Sequence, residues 1–235
     1  MKKQLIFLLI IVSTFSSCGI LQIAGKREFD NGFYIQKSNT EKSKVYVDVI
    51  DDSFHIHDTY LGTSKIMVDT NTYKTFPKEV KSNSFSKTSF KKYTFDIDFI
   101  TIPLKFRLKE MDIPAQLNTN LNGALYIGYR ADKYLIGYQS NHLGKAIRKL
   151  NHVGFSMGAF SGFGNTLMSP TNTNDRLQKE YDGIVWSKGV SSFLIANNFT
   201  VGLALGVDHL LDKNKSIWIY QNKPWLGLSV GLHLN

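Results

Sequence analysis

Cysteine is nearly absent from this chain: Cys18 is the only one in 235 residues. A lone thiol excludes an internal disulfide. Long apolar runs are missing as well. No stretch reaches 18 consecutive apolar residues, so no segment has the length of a transmembrane helix. Motifs that carry common chemistries are lacking too: there is no GxGxxG, P-loop or HExxH with supporting context. Gly227-Leu228-Ser229-Val230-Gly231 has the letters of GxSxG but lies in a terminal strand with no helix to follow.

What is present is strand. Gly is plentiful at 18 and aromatics make up 13%, which favours strands and turns over a helical bundle. From Phe199, every second residue is large and apolar (Phe199, Val201, Leu203, Leu205, Val207), and the residues between are Thr200, Gly202, Ala204, Gly206 and Asp208. Leu226, Leu228, Val230, Leu232 and Leu234 alternate with Gly227, Ser229, Gly231, His233 and Asn235 in the same way. A strand has period two, so each segment presents one bulky aliphatic face. The opposite face is mostly Gly, Ser, Ala and Thr and lacks the Lys and Glu of a solvated sheet. That composition suits a closed barrel, greasy outside and narrow inside.

The chain starts Met1-Lys2-Lys3, followed by an apolar run from Leu5 to Val12 and then Ser13-Thr14-Phe15-Ser16-Ser17-Cys18. A charged start, a short greasy core and a small-residue end predict a secretory signal peptide over 1–17. Ser16-Ser17-Cys18 resembles the lipobox of bacterial lipoproteins, with Phe15 where Leu is usual. That resemblance implies lipidation at Cys18. The chain is formally +9, and +7 without residues 1–17. Such a surplus often signals nucleic acid, but export argues against it and points to outer-membrane lipid or lipopolysaccharide phosphate as the neighbour.

Residues 18–44 read as a polar tether with a short strand from Phe33 to Gln36. Short strands follow within 45–92 (Val45 to Ile50, Phe54 to His57, Ser64 to Val68), with a turn at Asp51-Asp52-Ser53 and then a Lys- and Ser-rich loop. Strong alternation begins at Tyr93. Phe95, Ile97 and Phe99 share a face; the phase then slips by one to Ile100, Ile102, Leu104 and Phe106, as a β-bulge beside Pro103 would produce. Further strands are predicted over 117–130, 134–140, 153–159, 184–195, 199–208 and 217–234, with a turn at 131–133 and a loop or helical piece over 141–151. Seven strands plus Ser64 to Val68 give eight; all three upstream strands give ten. Aromatics near strand ends (Tyr129, Tyr134, Tyr181, Trp186, Trp218, Tyr220, Trp225) resemble the girdles of a membrane barrel.

On this pattern, residues 93–235 resemble the small outer-membrane barrels of Gram-negative bacteria. With the lipobox, the chain is similar to exported barrel proteins of Bacteroidota type. The resemblance implies an all-β, antiparallel up-and-down transmembrane barrel of about eight strands, with no cofactor and a structural or surface-interaction role in the cell envelope. The ending Leu232-His233-Leu234-Asn235 departs from the usual terminal aromatic.

Candidate interior residues are Asp96, Asp98, Lys105, Arg107 and Arg130 with Asn118, Asn120 and Asn122, all on non-lipid faces. Opposite charges there would form a network that fills and stiffens a small barrel, and buried amides need partners. His55 and His57 face one side of a strand, which is half of a zinc site with no third ligand placed to complete it. Ser140 and His142 sit at a strand end and invite a nucleophile-and-base reading. The segment resembles the His-x-Ser-Asn of lipid A deacylases, but Tyr138 stands where their His would be, so no catalytic role carries over. The competing expectations are a periplasm-facing lipoprotein binding module and a lipid-modifying enzyme acting at the barrel rim.

Overall fold

The structure, a computed structural model, describes residues 29–38, 41–62, 65–80, 87–110, 112–142, 144–197 and 199–233. The signal-peptide segment 1–17, Cys18 and the tether up to residue 28 lie outside them. The protein is all-β and antiparallel. Its strands are β1 (Gly32–Ser38), β2 (Glu41–Ile50), β3 (Ser53–Leu61), β4 (Ile66–Phe76), β5 (Glu79–Val80) and β6 (Thr88–Arg107). They continue with β7 (Gln116–Thr119), β8 (Asn122–Ser140), β9 (Ala146–Met168), β10 (Tyr181–Ala196), β11 (Phe199–Leu210) and β12 (Pro224–His233).

All twelve strands belong to one sheet, and part of it closes on itself. The path β6-β8-β9-β10-β11-β12 runs between sequence neighbours, with β7 pairing beside β8 on the same side of β6, and β12 then pairs with β6. The ring therefore passes through six strands, where the sequence suggested eight. One reason is that the turn expected at 131–133 does not form: Ala131-Asp132-Lys133 pair with Tyr93, Lys92 and Lys91 inside an unbroken β8. A second is that Ser64 to Val68 contributes no strand to the ring; residues 66–68 pair only with β3. The helical or loop piece expected over 141–151 is a turn that gives way to β9 at Ala146.

The ring is tight, and glycine makes it so. A Cβ on Gly158 would stand 2.2 Å from the Ile127 carbonyl oxygen, and one on Gly162 would stand 2.1 Å from that of Gly123. Only glycine lets β9 lie this close to β8. The phase slip in β6 is real. Between Leu228–Leu104 and Val230–Thr101 the register shifts by one residue, beside Pro103. It lies a few residues later than the pattern places it. Ile100 and Ile102, expected to share the outward face of Phe106, therefore stay inside with Asp96 and Asp98, and Lys105 and Arg107 turn inward only after the slip.

β1 to β4 form a meander that leaves the edge of β6 where β12 ends: β12 pairs with residues 98–107 of β6 and β1 with 89–91. The Asp51-Asp52 turn has both residues at positive φ, as a two-residue hairpin with right-handed strand twist requires. β5 returns the meander to β9 through residues 146–147, above the point where β10 stops. The meander and the extended ends of β6, β8 and β9 enclose a core of their own: Phe29, Tyr34, Val45, Val47, Phe54, Ile56, Phe76, Phe90, Tyr134 and Ile136. Residues 32–38 and 41–44, expected to be tether, thus belong to the fold, as do the described residues of the segment after them.

Candidate functional site

Inward-facing residues along β6 run Asp96, Asp98, Ile100, Ile102, Lys105, Arg107, and all are buried. The expected polar network is therefore split by an apolar layer in which Ile100, Ile102, Ala124, Phe160 and Phe193 pack with Tyr126 and Trp225. Two charged clusters result, one on each side.

Below the layer, Lys105 and Arg107 converge on Asp208 of β11. Lys105 Nζ donates to both carboxylate oxygens at 2.9 and 3.0 Å and to Ser187 Oγ at 3.0 Å. Ser187 Oγ donates to Asp208 Oδ1 at 2.6 Å, and Arg107 Nη2 donates to Oδ2. Lys105 and Asp208 are fully buried and Arg107 is 2% exposed. Aromatic faces complete the cage. Lys105 lies 4.5 Å from the Trp225 ring, and Arg107 lies 5.2 and 5.1 Å from Trp218 and Tyr220. Trp218, Tyr220 and Trp225 are thus interior residues and not girdle residues; so is Tyr134. Residues 217–223, expected to be strand, form the loop that brings Trp218 and Tyr220 over this end, and β12 starts at Pro224.

Above the layer, Ser156 Oγ donates to Asp96 Oδ2 at 2.6 Å and shares a 2.7 Å bond with the Tyr126 hydroxyl. At the level where the ring meets the meander, Arg130 Nε donates to Asp132 Oδ1 at 2.9 Å. His152 Nε2 is 2.7 Å from the same oxygen, and the Tyr134 ring stacks on His152 at 4.5 Å. A Cβ on Gly154 would stand 2.5 Å from that carboxylate, so glycine makes room for it. Asn122 is buried and donates to the carbonyls of Ile102 and Asn120. Asn118 and Asn120 are half-buried nearer the rim.

Asp208, Ser187, Asp132, His152 and Ser156 are the members that the sequence reading did not assign. Asp208 had a usable signal: it continues the small-residue face Thr200, Gly202, Ala204, Gly206 as that face's one charge. Asp132 was hidden by the false turn.

The wall beside the lower cluster is open. Pairing of β8 with β9 stops at Asn122–Gly164, and beyond the break at Asn120-Leu121 the short β7 pairs with β6. A recess of about 440 Å³ lies between β7 and residues 166–172, with Arg107 and Tyr220 at its inner side.

The remaining candidates lie elsewhere. His55 and His57 share a face of β3 with the Tyr73 ring against both, at 4.8 and 5.2 Å. Among the described residues, no group of three or more His, Cys, Asp or Glu side chains is placed to hold a metal. Ser140 ends β8 and His142 lies in the exposed turn after it.

Fold and site together define an all-β antiparallel protein whose sheet closes partly into a ring around buried charged side chains. No family model matches the chain, and neither the comparison with curated proteins nor that with solved structures found a match.

Proposed function

We propose that this is an exported outer-membrane β-barrel protein without enzymatic activity, with a structural or surface-interaction role in the cell envelope. The observation that carries the reading is the outer face of the ring. Phe95, Ile127, Phe155, Leu194, Val201 and Leu203 are among its large apolar side chains turned outward, and Leu203 is 62% exposed. Water-soluble monomers rarely expose contiguous apolar patches beyond a few hundred Å²; hydrocarbon solvates such a surface at no cost. Phe199 to Val207 spans roughly 27 Å along the strand at the usual rise. With a tilt of about 40°, that is about 20 Å of height, close to the apolar band of known barrels.

Loop lengths support the same orientation. With 131–133 in strand, the long connections that follow β6, β9 and β11 all fall at one end, and the turn at Asn197 falls at the other. Long extracellular loops and short periplasmic turns are the rule for such barrels. The meander then lies on the periplasmic side, with lipidated Cys18 as its anchor and envelope lipid or lipopolysaccharide as the surroundings of the ring. Six strands are fewer than the eight of the smallest bacterial barrels. The interior is accordingly packed with Trp225, Tyr126, Phe160 and Phe193, which supports a filled lumen.

The test is behaviour in detergent and membrane. Full-length protein expressed in a Gram-negative host should fractionate with the outer membrane and migrate differently on gels before and after heating. A chain lacking residues 1–18 that is monomeric in water without detergent would instead support a periplasm-facing lipoprotein module.

A further inference from the structure

We propose that the slot between β7 and the start of the β9–β10 connection is a binding site for an oxyanion, a phosphate or a carboxylate, held by Arg107. Three observations converge. Arg107 lines the recess while 2% exposed, and its Nη2 is committed to Asp208 while its Nη1 has no partner. The Tyr220 hydroxyl and Asn118 Oδ1 line the same recess and are likewise buried without a partner. Buried polar groups are ordinarily bonded, so three unmet ones on one recess mark a place built for a polar guest.

Charge selects the sign of that guest. Lys105 and Arg107 share the single carboxylate of Asp208, so the buried triad carries one uncompensated positive charge. Among the described residues, no acidic side chain lines the recess. Besides these groups it presents Gln116, Thr166 and Asn172, and Glu110 nearby is paired with Lys223 at 2.7 Å. A guanidinium with one fork occupied offers its other N–H groups to an oxyanion in a fixed plane. Tyr220 donates a second bond, and Asn118 Oδ1 accepts from a hydroxyl on the same ligand. Leu117 and Leu167 flank the opening with exposed side chains, so the guest is either a free solute or the head group of an amphiphile lying against them.

Full-length protein folded in neutral detergent micelles is titrated with inorganic phosphate, with acetate, and with a short-chain phosphatidic acid at constant ionic strength. Fluorescence of Trp218 and Trp225, which line the cage, is the readout. A saturable change is expected with at least one of the three. Its midpoint should weaken about tenfold or more in Arg107→Gln and several-fold in Tyr220→Phe, as loss of a charged or neutral hydrogen bond implies. Tighter binding of the lipid than of inorganic phosphate assigns the site to a head group; equal or weaker binding assigns it to a free anion. The proposal is overturned if no probe gives a saturable response. It is also overturned if Tyr220→Phe and Asn118→Ala, which leave the ion triad intact, bind all three probes like the parent. Neither result depends on whether the ring sits in a membrane.

Discussion

The ring of six strands and the N-terminal meander use the same alternating strand but turn opposite faces inward. In the meander, Val45, Val47, Phe54 and Ile56 fill a core while Lys44, His55 and His57 look outward. In the ring, aliphatics look outward and Lys105, Arg107, Asp208 and Arg130 are inside. The two share β6, β8 and β9, so single strands change character along their length. β8 turns Leu125 and Ile127 outward in the ring and Tyr134 and Ile136 inward above it. The lesson is that period two reports a strand and its two faces, while the identity of the solvent on each side is a separate variable.

That contrast can be broken from either side. The largest effect is expected at Asp208→Ala, which leaves Lys105 and Arg107 buried against each other. Loss of one partner of a buried ion network costs on the order of 3–5 kcal/mol, read as urea unfolding in detergent micelles. Phe90→Ala in the meander core should cost a similar amount, about 3–5 kcal/mol, by cavity formation. It should spare the heat-modifiable migration of the ring if the two cores unfold separately.

Next is Leu203→Arg, expected to cost roughly 2–4 kcal/mol in a bilayer by placing a charge on the lipid face. The check is the yield of membrane-inserted protein, with Leu228→Arg as a companion. Normal yield of both would remove the lipid-facing assignment. In the meander, Lys44→Ala on the outer face should change stability by less than about 0.5 kcal/mol.

A pH-dependent effect sharpens the comparison further. Burial, and then the hydrogen bond to the Asp30 carboxylate, push the Tyr34 hydroxyl well above the ordinary tyrosine range. A raised folded value means the contribution of the neutral phenol is complete below pH about 10 and is lost as pH climbs beyond it. The meander should therefore loosen in alkali, followed by near-ultraviolet circular dichroism. Tyr34→Phe should flatten that dependence while costing about 1 kcal/mol at neutral pH.

Much of the ring was legible from residue order. The Phe199 and Leu226 segments are β11 and β12 in the expected phase, and they pair directly, Leu203 with Leu228 and Leu205 with Leu226. That β6 slips by one residue was legible because a slip leaves a trace in any alternating pattern; its position was not, since Ile100 and Ile102 are apolar yet face inward before it. The turn at 131–133 was misread because Ala-Asp-Lys has turn composition, and nothing local shows that Asp132 is held by Arg130 and His152 from inside. Likewise Trp218, Trp225 and Tyr134 have girdle chemistry locally and become interior only because the ring is narrow enough to need filling.

By itself the sequence determined the two faces of β11 and β12 and the inward placement of Asp96, Asp98, Lys105, Arg107 and Arg130, because side-chain direction follows from a period of two. Only the tertiary structure decided how many strands close the ring, that Asp208 answers Lys105 and Arg107, and that β7 parts from β9 to expose an arginine. Those outcomes depend on register and curvature between segments more than a hundred residues apart, which no local pattern encodes.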